Sequence, residues 1–164
     1  MAILRAYTPI VMTNTSSNFA QYLEPAQGCM CFHIRKSARA ITQLYEDALR
    51  PTDLRATQFT LLVASRVMGT ATINDLAKGL VMDRTTLTRN LRPLQKQGFI
   101  RILPGKDDHR EREVTLTLSG QEILSEALPL WETVQGTLID ALGQGRVTRL
   151  LKDLSVTVDL ATRG

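Results

Sequence analysis

One amphipathic stretch, residues 84–97, constrains this chain more than any other, because its two faces have opposite characters. At about 100° per residue, Leu87, Leu91 and Leu94 fall on one narrow face of a helix, and Thr85, Arg89, Arg92 and Lys96 on the other. The leucine stripe demands a core, whereas the three cations demand solvent or a polyanion. Asp83 stands directly before the stretch as an N-cap. Pro93 is expected to weaken or kink the last turns, since an interior proline removes a hydrogen bond at a cost of about 3 kcal/mol.

The charge of the whole chain is concentrated around this helix. Across 164 residues, 20 Lys+Arg against 16 Asp+Glu give a formal +4. Residues 84–112 alone carry Arg84, Arg89, Arg92, Lys96, Arg101, Lys106, Arg110 and Arg112 against Asp107, Asp108 and Glu111. The remainder is therefore close to neutral. A local basic surplus inside a balanced protein is the footprint of a polyanion partner.

The flanking segments supply the elements around it. Residues 1–28 mix Thr, Ser, Asn, Pro and Gly without a sustained period and read as an arm, ordered only where it docks. Cys31, Ile34, Ala38, Ile41, Tyr45 and Ala48 recur every three or four residues, an amphipathic helix over 31–49 that Pro51 stops. A second helix over 56–67 turns Phe59, Leu62, Val63 and Val67 inward and closes at Gly69. Thr72 to Asp75 form an N-cap with an acidic third position, which starts a short helix ending at Gly79. After Gly98 come two apolar runs, 99–103 and 114–118, separated by a charged tip: a β-hairpin. Ser119-Gly120-Gln121-Glu122 is a capping-box pattern for a long helix with Ile123, Ala127, Leu130, Val134 and Leu138 inward, bent by Pro129 and Gly136. A last helix over 146–161 is expected to bury Val147, Leu150, Leu151, Leu154 and Val158.

Composition excludes several classes. With 43% hydrophobic and 22% charged residues the chain matches an ordinary soluble globular protein of one domain. Its longest apolar run, residues 61–64, is far short of the roughly 20 residues of a membrane helix. Residues 1–12 lack the continuous apolar core of a signal peptide, so a cytoplasmic protein with no membrane partner is expected. Cys29 and Cys31 are too few and too close for a disulfide framework. With His33 they would present three metal ligands to one side only in an extended segment, so no metal is expected. His33 and His109 fall on different elements, Asp107-Asp108 reads as turn chemistry, and no nucleophile stands with a base. Neither an enzyme nor a cofactor is expected.

A short helix, a tight turn, a helix with a basic outer stripe and a hairpin with a charged tip together describe a winged helix-turn-helix, mainly α with a small β-hairpin. The second helix of such a motif enters the major groove of DNA by its N-terminal residues. That makes Arg84, Thr85, Thr86, Thr88 and Arg89 its leading contacts, with Thr85, Thr86, Thr88 and Arg89 at base edges. Arg92 and Lys96 lie further along and meet phosphates, and Arg112 is a further candidate DNA contact. Arg110 enters an adjacent minor groove, with Asp108 holding it. The winged domain then spans about 54–118 within one domain over 29–164. The helices over 30–50 and 119–162 carry more apolar surface than so small a domain can cover, which points to a two-fold homodimer. Its operator is expected to be pseudo-palindromic, with half-sites about 34 Å apart.

The residues that build this motif also resemble a known family. Leu54, Gln58-Phe59, Leu61-Leu62, Asp75-Leu76-Ala77, the run from Asp83 to Arg89, Asp108-His109-Arg110 and Leu116-Thr117 with Gly120 resemble the MarR family over about residues 30–160. The resemblance implies a homodimeric transcriptional regulator, usually a repressor, with N- and C-terminal dimerisation helices. It also implies an effector cleft between those helices and the winged domain; small aromatic ligands are common effectors.

Cys31-Phe32 with Tyr45 further resembles the organic-hydroperoxide-sensing branch of that family, in which a cysteine at the start of the first helix is oxidised. Fourteen residues of helix separate the pair by about 21 Å, so they meet only across a dimer. The second tyrosine of that branch has no hydroxyl-bearing counterpart here, where Ala56 and Phe59 stand. Cys31 is thus either a thiol sensor or a small buried apolar residue. A non-regulatory architectural DNA-binding protein is the remaining alternative, separated from a regulator by its indifference to sequence.

Overall fold

The computed structural model describes residues 27–106 and 108–163. The elements are α1 (Met30–Leu49), a 3-10 turn (Arg50–Thr52), α2 (Ala56–Met68), β1 (Ala71–Thr72), α3 (Ile73–Gly79), α4 (Arg84–Lys96), β2 (Ile100–Pro104), β3 (Arg112–Leu116), α5 (Leu118–Leu142) and α6 (Gln144–Thr162). The mainly α winged helix-turn-helix is therefore present. Most of the arm expected over 1–28 lies outside the described residues. Among those that are described, no helix is long and apolar enough to cross a membrane.

The chain divides within α1 into a unit ending at Ile41 and a second from Thr42 to Gly164. In the first, Cys31, Ile34, Ala38 and Ile41 are all exposed. Phe32 meets the His33 ring edge-on at 5.5 Å, and His33 Nε2 donates to the Gln27 carbonyl at 2.8 Å.

The second unit holds the core, formed by Leu49, Leu54, Phe59, Leu61, Leu62, Leu76, Leu87, Leu91, Leu94, Ile100, Val114 and Ala127. All three leucines of α4's inner stripe are fully buried. Trp131 on α5 stacks on Phe59 of α2 at 6.5 Å, so the long helix covers the core from one side. Strand order is β1-β3-β2, antiparallel throughout, with Ala71 opposite Val114 on one side of β3 and Ile102 opposite Val114 on the other. The hairpin is thus a three-stranded sheet. Its third strand has two residues, too few to show any period.

Local expectations fare unevenly, each for a physical reason. Gly69 closes α2 at φ 68°, and Thr72 with Asp75 forms the expected capping box of α3. Helix α4 runs through Pro93 and ends three residues later. The hairpin strands lie nearer the tip than the apolar runs suggested, because Pro104 still pairs with Arg112. The cap of α5 is Thr117 and not Ser119: its Oγ1 accepts from the Gly120 N–H at 3.0 Å and reaches Gly98 O at 2.7 Å. On α2, Val67 is 80% exposed while Leu61 and Ser65 are buried, since the helix end leaves the core. On α6 the five residues expected inside are not buried: Leu150, Leu151, Leu154 and Val158 are exposed, because among the described residues of this unit none covers that face.

Candidate nucleic-acid interface

The entry to α4 is built by capping. Asp83 Oδ1 accepts the Thr86 N–H at 2.8 Å, which satisfies one of the free donors at the helix start. Hydrogen bonding from Thr86, side chain first and backbone second, holds the Asp83 carboxyl below its ordinary range. Thr88 Oγ1 donates to the Arg84 carbonyl at 2.7 Å, so its hydroxyl retains only acceptor capacity for an outside partner. Thr85, Arg89, Arg92 and Lys96 are all exposed, opposite the buried leucines, and Arg84 is exposed at the helix start. Thr86 and Thr88 are half-buried. Among the described residues none of these four cations forms an ion pair. A basic stripe without internal partners is available to an external anion.

The hairpin tip is tied by its own backbone. The Gly105 N–H donates to the Glu111 carbonyl and the Glu111 N–H to the Asp108 carbonyl, both at 3.0 Å. Asp108 Oδ1 accepts the Arg110 backbone N–H at 2.8 Å. Asp108 is expected to hold Arg110 in position, and the bond it makes to that residue is to the main chain, a short reach for a carboxylate two residues away. Arg110, Arg112 and Lys106 are exposed, so the tip is a second basic projection. One residue went unnoticed in the sequence: Glu113 Oε1 accepts the Lys106 N–H at 3.1 Å.

The remaining candidates lie on α1. Cys31 and Cys29 are both free and exposed, so the reading of Cys31 as a buried packing residue fails within the single chain. In the second unit, Tyr45 is half-buried and its hydroxyl donates to Gln135 Oε1 of α5; burial pushes its pKa up. Glu46 accepts from Arg55 at 2.8 Å and from the Ala56 N–H at 3.2 Å. The Arg55 hydrogen bond is the main cause that holds its carboxyl below the ordinary range. These bonds fasten α1 to the start of α2. Beside them a polar cleft of about 340 Å³ is lined by Gln43, Asp47, Arg50 and Asp53 among others.

Comparison with known proteins places this geometry. The MarR family model matches residues 54–111, from the start of the core to the wing tip. The crystal structure of the M. tuberculosis transcriptional regulator MosR in complex with DNA is 35% identical, with a TM-score of 0.72 over 82% of this chain and 98% of that one. The chain belongs to the MarR family. A second MarR-family structure, a mutant E. coli MarR complexed with operator DNA, is 26% identical with a TM-score of 0.73, over 87% of this chain and 99% of that one. The regulator SarZ of Staphylococcus haemolyticus is 30% identical over 94 residues, 57% of this chain and 64% of that protein. The chain thus spans just under two thirds of that curated relative's length. All three are named in connection with regulation of transcription or of an operator, not with an enzyme activity.

Proposed function

We propose that the chain is a homodimeric, sequence-specific DNA-binding transcriptional repressor that a small-molecule effector releases. The observation that carries this reading is the exposed basic stripe of α4, without ion pairs among the described residues, together with a second basic projection at the wing tip. Two MarR-family structures with DNA bound lend it support. Arg84, Thr85, Thr86, Thr88 and Arg89 enter the major groove, Arg89 as the principal base reader. Arg92, Lys96 and Arg112 neutralise phosphates, and Arg110 enters the minor groove beside them, its backbone held by Asp108. The exposed leucines of α6 supply part of the dimer contact, and the effector, a small aromatic molecule, occupies a cleft beside the dimer helices.

The test is a gel-shift on DNA flanking the protein's own gene against random duplex. Arg89→Ala is expected to remove discrimination between the two. Lys96→Ala is expected to weaken both alike and to lower the salt slope by about one unit. Equal losses on both duplexes for both variants would sink the role assignment, and an architectural protein would not discriminate even as wild type.

A second reading is favoured by the exposure of Cys31: its thiolate attacks an organic hydroperoxide, leaving a sulfenic acid on the protein and releasing the alcohol. The same gel-shift with hydroperoxide, on wild type and Cys31→Ser, decides. Loss of binding only in the wild type supports the sensor; indifference in both returns the signal to a small ligand.

A further inference from the structure

Glu113 is an acidic side chain that reaches into the base of the basic wing tip. It lies on β3, the middle strand of the sheet, opposite Leu103 of β2 and Thr72 of β1. Pairing between β2 and β3 ends at Pro104 and Arg112, one step toward the tip. Beyond that point the Lys106 N–H has no strand partner to meet, and the Glu113 carboxylate accepts it instead at 3.1 Å. The same oxygen lies over Gly105, where an added Cβ would come within 3.4 Å of it and within 2.6 Å of the Asp108 carbonyl. The carboxylate, Gly105 and Asp108 therefore close together around the base of the turn that presents Arg110. An anion at this place opposes a phosphate backbone by simple charge repulsion. Its geometry supplies the compensating role: it replaces the missing rung of the ladder and carries the order of the central strand into the tip.

We propose that Glu113 is a positioning residue for the wing: through the Lys106 N–H it fixes the tip conformation in which Arg110 meets DNA. This rests on the proposed DNA-binding function, with Arg110 as the groove contact. Its acceptor oxygen is what counts, so Glu113→Gln, which keeps a carbonyl oxygen and removes the charge, preserves the tip. Glu113→Ala removes the bond and leaves the paired strand in place.

Two measurements separate this from a general loss of stability and from a failure of the DNA-binding reading. The first is amide hydrogen exchange at Lys106 in the DNA-free protein, which needs no operator. Faster exchange at Lys106 in Glu113→Ala, with wild-type exchange in Glu113→Gln and unchanged protection in α4, is expected. Unchanged exchange at Lys106 in Glu113→Ala overturns the proposal whatever the protein does with DNA. The second is a double-mutant cycle on the duplex flanking the protein's own gene. Arg110→Ala and Glu113→Ala are each expected to weaken binding about five- to tenfold, and the double variant no more than Arg110→Ala alone. Fully additive losses overturn the positioning role. Absence of wild-type DNA binding overturns the proposed function and the Arg110 half of this inference with it, while the exchange result still decides whether Glu113 holds the tip.

Discussion

Two residues hold backbone conditions that their own side chains do not advertise. Gly120, in the first turn of α5, sits against the hairpin base: an added Cβ would lie 2.0 Å from the Phe99 carbonyl and 2.8 Å from Leu116 Cδ1. That carbonyl also accepts the Thr117 N–H at 3.0 Å, so it is not free to retreat. In an ordinary helix Gly→Ala gains up to about 1 kcal/mol of propensity. Here the overlap wins, and Gly120→Ala is expected to lower stability by about 1 to 3 kcal/mol, read as an earlier midpoint in urea. An unchanged or later midpoint would mean that α5 can shift away from the sheet. Val81 presents the opposite case. It occupies the turn between α3 and α4 with φ 53°, a left-handed conformation that costs an ordinary L-residue about 1 to 2 kcal/mol and suits a β-branched one least. Its side chain is 57% exposed and gives little back by burial. Val81→Asn is therefore expected to stabilise the protein by about 1 kcal/mol, seen as a rise in Tm, and a fall would show that the exposed valine packs on something.

At the scale of elements, carboxylates at the starts of two helices, α4 and α2, tie them to pH. Asp83 at the head of α4 and Glu46, which binds the first N–H of α2, both have their pKa lowered in the folded state by the hydrogen bonds they accept. A lowered folded pKa means the stabilisation is full above the unfolded carboxylate range, about pH 4, and is lost as pH falls through the lower folded value. Asp83→Ser keeps a capping oxygen without a titrating charge. Its Tm is expected to fall less steeply than that of wild type below about pH 4, with parallel curves at neutral pH; identical acid slopes would remove Asp83 from the acid response. Helix α4 was readable from sequence because its two faces and its cap are all local facts, and the buried leucines agree with it. Other elements escaped reading because their reasons are tertiary. Ser119 and Glu122 fit a capping template, yet Thr117 takes the role because its hydroxyl also reaches Gly98 O and Phe99 O across the hairpin base. Val67 keeps helical period with Phe59 and Val63, but α2 has by then left the core. Glu113 looks like any charge on a strand until Lys106 is brought beneath it.

For the whole molecule, the decisive fact is a helix with a well-formed pattern that the described residues do not bury. Helix α6 has no buried residue, and Leu150, Leu151, Leu154, Val158 and Leu160 are all exposed along it. In the proposed homodimer this apolar row is the interaction surface, and a second copy is its economical occupant, since a two-fold axis makes one patch complement itself. Every substitution in such a seam is counted twice. If the proposed dimer forms through α6, Leu154→Glu places two carboxylates in the contact: wild type is expected to sediment as a dimer and the variant, at the same concentration, as a monomer. The winged domain does not depend on that contact: its core is drawn from α1 to α5, so far-UV circular dichroism and the exchange protection of α4 are expected to persist. DNA binding should nevertheless fall by about a hundredfold or more, because two linked recognition helices gain effective concentration that one lacks. Stability and association are thereby separable: a monomer that keeps its folded wing and loses DNA supports recognition by two half-sites, whereas a variant that stays dimeric moves the interface elsewhere. A monomer with undiminished affinity would show that one winged domain is enough for the operator and would remove the need for a pseudo-palindrome.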